Sequence, residues 1–132
     1  MVACGLWSTG PRVLAVVVDD DGRAASPLVA VTDDERWELL GHIDAEYGLD
    51  CELVFAENML RHDTICRFAI ERGHVALAAP TELVDAIRRA AAIERAPRCA
   101  AMIARLALVP ALRHRLRRIA CVHCDWRQLS LL

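Results

Sequence analysis

Residues 12–35 read RVLAVVVDDDGRAASPLVAVTDDE, and they decide the fold. Arg12 is followed by six apolar residues rich in valine, a strand pattern. Asp19-Asp20-Asp21-Gly22 supplies a turn, because short acids bond nearby amides and glycine tolerates positive φ. Residues 27–31 form a further apolar run. At Thr32 the period changes. Thr32-Asp33-Asp34-Glu35 is a capping box, in which the threonine oxygen accepts from a first-turn amide while Glu35 reaches back to the cap. A strand meander therefore gives way to a helix at residue 32.

Upstream, residues 2–6 are a short apolar strand and Ser8-Thr9-Gly10-Pro11 is turn chemistry, so the meander has three strands. Downstream, Trp37, Leu40, Ile43 and Tyr47 share one helical face and Gly48 ends the helix. Residues 51–56 read as a strand. Asn58 then caps a helix running to Arg72, with Gly73 as its stop, and 74–79 is a buried strand. Pro80-Thr81 opens a helix to about Ile93, Pro97 another to about Leu108, and Pro110 starts a short basic helix ending near Ile119. The expectation is an α/β fold: a mixed five-stranded sheet, three antiparallel meander strands followed by alternating helix and strand, covered by helices. Residues 1–119 form a single domain and 120–132 a tail.

The chain has 132 residues, 55% of them hydrophobic, with a net charge of −2. A chain this apolar buries enough surface to offset its conformational entropy, which excludes intrinsic disorder. No apolar stretch approaches the roughly 20 residues a bilayer requires, and no basic flank precedes an apolar N-terminal core. A cytoplasmic protein without membrane contact is expected. All 16 basic residues are arginine, unevenly placed. Residues 1–87 carry 6 arginines against 16 acids, a balance of −10, and residues 88–132 carry 10 against 2, a balance of +8. The small net charge hides a strong dipole.

The order of elements, together with Gly5 in the first strand, residues 13–23 with their acidic hairpin, Leu53 to Glu57, Gly73 to Pro80 and Ala104-Arg105-Leu106-Ala107, resembles a known family. It is the N-terminal ribonuclease H-like domain of DEDD-type insertion-sequence transposases, the Piv invertase group, which is similar to RuvC resolvases. The resemblance covers about residues 2–108. It implies a ribonuclease H-like sheet and, in an intact member, four acids holding two divalent metals such as Mg2+ for phosphodiester chemistry. Position by position, those acids fall at Trp7, Glu57, Ala96 and Cys99. Three of the four are not acids. The resemblance thus implies a pseudoenzyme from a mobile element, one that keeps the scaffold and acts by binding. Other acids, Asp63, Glu71, Glu94 and the Asp19–Asp21 cluster, are what an active two-metal nuclease or resolvase would have to draw on. Too few residues follow Leu108 for the serine-bearing domain those transposases carry, so strand transfer is not expected.

At Trp7 a plug in a vacated metal pocket competes with ordinary strand packing, and at Glu57 a metal role competes with helix capping. Arg113, Arg115, Arg117 and Arg118, joined by Arg88, Arg89, Arg95, Arg98 and Arg105, are candidates for a basic face binding the backbone of DNA or RNA. The competing reading is a solvated surface, or one that docks on the acidic part of a second copy in a homodimer or on another protein partner. Cys121, His123 and Cys124 have zinc-like spacing, with His114 upstream, but there is no second such pair, and free thiols in a tail are the plainer reading. Cys4, Cys51, Cys66 and Cys99 read as small core residues. The apolar end, Trp126, Leu129, Leu131 and Leu132, is expected to pack or to make a dimer contact.

Overall fold

The computed structural model describes residues 1–62 and 64–119. They form an α/β structure with a six-stranded mixed sheet and five helices. β1 (Ala3–Thr9) and β2 (Arg12–Val18) pair antiparallel from Ala3↔Val18 to Thr9↔Arg12, and β3 (Leu28–Ala30) joins β2 antiparallel through Leu14↔Val29. The meander is present as read. α1 (Asp33–Tyr47) carries the capping box: the Glu35 amide donates to Thr32 Oγ1 at 3.1 Å and the Thr32 amide donates to Glu35 Oε1 at 3.0 Å. The amides of Thr32 and Val31 hold the Glu35 carboxyl below its usual range. On α1 the buried residues are Leu39, Leu40 and Ile43, while Trp37, expected on the core face, stands at the rim, 43% exposed. Its ring instead meets Phe68 edge-on, with centroids 5.6 Å apart.

β4 (Glu52–Ala56) runs parallel to β1, from Ala3↔Glu52 to Leu6↔Phe55, and β5 (Ala76–Ala79) runs parallel to β4. Between them lie a 3-10 segment (Glu57–His62) and α2 (Thr64–Glu71). The helix expected from Asn58 is thus a tight 3-10 stretch first and an α-helix only from Thr64. α3 (Thr81–Ala91) ends where Ala92 turns left-handed, φ 53°, with its amide donating back to Arg88 and Arg89. α4 (Ala96–Leu108) follows. The expected basic helix to Ile119 is corrected: α5 (Pro110–Arg113) is a single turn, and β6 (Arg117–Ile119) is a sixth strand, antiparallel to β5. One helical turn has little stability of its own. Pairing Ala76↔Ile119 and Ala78↔Arg117 satisfies the open edge of β5 and buries Ile119. The strand order is β3-β2-β1-β4-β5-β6.

Side-chain alternation sends the strands' residues to opposite faces. Cys4, Leu6, Val13, Leu53 and Phe55 pack with α1 and α2; Ala3, Trp7, Val16, Val54 and Ala56 pack with α3 and α4. α4 reaches the sheet through small residues, Ala100, Ala104 and Ala107, over Gly5. A Cβ on Gly5 would lie 1.8 Å from the Ala100 carbonyl oxygen, so helix and strand touch backbone to backbone.

All four described cysteines are buried, as expected. Burial, then the Glu52 and Asp44 carboxylates, push the Cys51 thiol up to about 11. Burial, then Cys51, raises Cys4 well above its ordinary value. A group raised in the folded state contributes stability that is present below its unfolded value and lost as pH climbs through the folded one. Urea midpoints should therefore fall between about pH 9 and about pH 11, less steeply in Cys51→Ala. A midpoint constant to pH 11 would contradict this. Among the described residues no helix is long and apolar enough to cross a membrane.

Candidate functional site

Trp7 and Cys99 lie in the same packed cluster on the α4 side of the sheet, and Ala96 packs against it. Glu57 follows Ala56 of that cluster where β4 passes into the 3-10 segment, and it is half-buried. The Ser8 amide donates to Met59 Sδ at 3.4 Å, joining the end of β1 to that segment. Trp7 is 6% exposed, and the Arg88 guanidinium lies over its ring, 5.1 Å from the centroid. Arg88 Nε also donates to the Ile93 carbonyl at 3.4 Å. Burial raises the Cys99 thiol, against the pull of Arg88 and Arg98. An indole, a methyl group and a protonated thiol offer no oxygen to a hard cation. These residues do not fit a two-metal site; of the four positions, only Glu57 carries a carboxylate. Among the described residues no three of His, Cys, Asp and Glu converge as metal ligands. Glu94, Glu71 and the hairpin acids are described, whereas Asp63 lies outside the described residues.

The candidate arginines fall into two groups. Arg88 and Arg89 end α3, Arg95 caps α4, and Arg98 and Arg105 stand on α4 seven residues apart. A shallow groove of about 530 Å³ runs between Asp85, Arg88, Arg89 and Glu94 to Ile93. Ile93 also borders a second depression, of about 430 Å³. Arg89, Arg95 and Arg98 are exposed and form no ion pair among the described residues. Arg105 Nη2 donates to the Gly22 carbonyl at 3.1 Å, tying α4 to the β2–β3 connection.

The second group is largely structural at its start. Arg113 grips Glu52 with both Nη atoms and donates to the Ala107 carbonyl at 3.0 Å, linking the basic end of the chain to the acidic sheet. That contact raises the arginine's affinity for its proton. Arg115, Arg117 and Arg118 are exposed, Arg117 and Arg118 on β6.

A buried polar cluster was not legible beforehand. Asp44 of α1 accepts from Arg72 Nε at 2.7 Å and pairs with Arg72 Nη2 at 2.6 Å. Its other oxygen faces His74 Nε2, whose side chain is fully buried. That second contact lacks hydrogen-bond alignment, and His74 Nδ1 has no hydrogen-bond partner among the described residues. The Arg72 guanidinium also lies over Trp37, 4.7 Å from the ring centroid. In the sequence His74 shows only as a polar interruption ahead of a strand. Cys121, His123, Cys124 and the apolar end fall outside the described residues. No protein-family model matches the chain, and no curated protein is similar to it at a significant level.

Proposed function

We propose that the chain is a catalytically degenerate ribonuclease H-like domain of the insertion-sequence transposase type that works as a nucleic-acid-binding module. The sheet order β3-β2-β1-β4-β5, with an antiparallel meander and β4 and β5 parallel to β1, supports the fold reading. One observation carries the functional reading: where the resemblance puts the first catalytic aspartate, this chain has Trp7, buried beneath the Arg88 guanidinium. A guanidinium over an indole is a favourable contact that closes the position without an oxygen ligand. It replaces a carboxylate that would recruit Mg2+. What remains outward is the arginine face of α3 and α4, with Arg89, Arg95 and Arg98 available to phosphates.

Binding of fluorescent DNA and RNA, measured by anisotropy across a salt series, tests this. Affinity should fall steeply with salt, and each of Arg89→Ala, Arg95→Ala and Arg98→Ala should reduce the salt slope by about one. The triple variant should bind at least tenfold more weakly. A flat salt response, or no binding at low salt, would reject nucleic acid and leave a protein-interaction role. Metal-dependent cleavage of branched DNA that disappears in Glu57→Ala would establish an active nuclease instead.

A further inference from the structure

The second depression lies between the β2–β3 connection and α4, with Val16, Ala25, Pro27 and Ala101 forming its apolar surface and Arg98 and Arg105 at its rim. We propose that it seats one unstacked base of a single-stranded nucleic acid, the flanking phosphates resting on the two arginines. The proposal rests on the nucleic-acid reading above and narrows it from a charged face to a strand with a splayed base.

The shape argues first. About 430 Å³ is within the roughly 300–1,000 Å³ of small-molecule pockets, and the open trough admits a flat ring from the side. Its apolar part, alanine, valine, proline and Ile93, makes van der Waals contact with a flat ring and offers no side-chain hydrogen bond that would select one base over another. Arg98 and Arg105, seven residues apart, are separated by about 10.5 Å along α4 and lie on one face. Arg105 is held in direction by the Gly22 carbonyl and keeps further N–H donors for an anion. Arg98 is exposed at the other end, with a planar group able to stack on a base.

The neighbouring acids set the limits of the site. Asp19 is turned into its own turn, its Oδ1 accepting from the amides of Asp21 and Arg23 at 3.0 and 2.9 Å. Asp21 is exposed beside Gly22 and opposes a phosphate at the Arg105 end. A duplex base is already stacked and paired, and reaching the trough would require extruding it. Duplex DNA therefore meets the arginines but leaves the trough unused.

The test compares a single-stranded oligonucleotide of about 12 nucleotides with the corresponding duplex by anisotropy at fixed salt. The single strand should bind at least tenfold more tightly. Ala25→Leu, an enlargement at an exposed position, should cost the single strand about tenfold and leave the duplex unchanged. Arg98→Ala should weaken both, and Asp21→Asn should tighten the single strand. Equal or tighter duplex binding, or an unchanged Ala25→Leu, would overturn the proposal while leaving the broader reading intact. Displacement by adenosine monophosphate at the oligonucleotide's own concentration would overturn it in favour of a free-nucleotide site. Absence of binding to either nucleic acid would remove both readings together.

Discussion

Gly5→Val should abolish the folded state. A Cβ at this position would stand 1.8 Å from the Ala100 carbonyl oxygen, 2.7 Å from its carbon and 2.9 Å from Ile103 Cγ1. Two of those three atoms are backbone, so no rotamer change relieves the overlap. α4 must lift from β1, which strips cover from Trp7, Val54 and Ala56. A loss above about 4 kcal/mol is expected, a large part of the roughly 5–15 kcal/mol that such domains possess. Circular dichroism of Gly5→Val should show no cooperative thermal transition. Gly41→Ala is the control. Its Cβ would meet only the Arg72 Nη2 at 3.5 Å, an ordinary contact, inside a helix where alanine is favoured by roughly 0.5–1 kcal/mol. Comparable stability of the two variants would refute the backbone-contact account.

Asp44→Ala should be the most damaging change outside that contact. It leaves the Arg72 guanidinium without its carboxylate and His74, with a fully buried side chain, facing an empty space. Breaking a buried pair typically costs about 3–5 kcal/mol. Since Asp44 and Arg72 side chains remain about one-fifth exposed, screening brings the expectation to roughly 2–3 kcal/mol. For a chain of this length, Tm should fall by about 10 °C. The double variant Asp44→Leu with Arg72→Leu should recover part of the loss, because removing both members of the ion pair leaves no unpaired charge. A change below about 0.5 kcal/mol in Asp44→Ala, measured by urea unfolding, would show the cluster to be structurally idle.

How much of this could be read from the sequence depends on whether the determining contact is local. Residues 12–35 encode their own structure, since strand period, acidic turn and capping box are all satisfied within a few positions. β6 is the opposite case. Arg117 and Arg118 carry no strand signal, and they extend because the edge of β5, distant in sequence, offers unpaired backbone groups. Ala92 ends α3 in a left-handed conformation that nothing in a run of alanines announces. For the candidate site, strand alternation puts Trp7 on the face opposite Leu6, but its burial and its cover by Arg88 need α3 and α4 in place. Arg113 looked like a phosphate ligand because its neighbours are basic, whereas its partner Glu52 lies on a strand far upstream. Charge counts along a chain register supply, and only the fold assigns recipients.

The backbone contact of α4 with Gly5 also sets a timetable for synthesis. β1 and β2 leave the ribosome well ahead of the helix that covers Ala3, Trp7, Val16 and Val18, which is made only with residues 96–108. At roughly 5–20 residues per second, that nascent apolar row stays bare for about 5–20 s. During this interval the half-made sheet is a substrate for chaperones and for aggregation with neighbouring nascent chains. Translational pausing between β2 and α4 should lower the soluble yield, and pausing once α4 has left the ribosome should spare it.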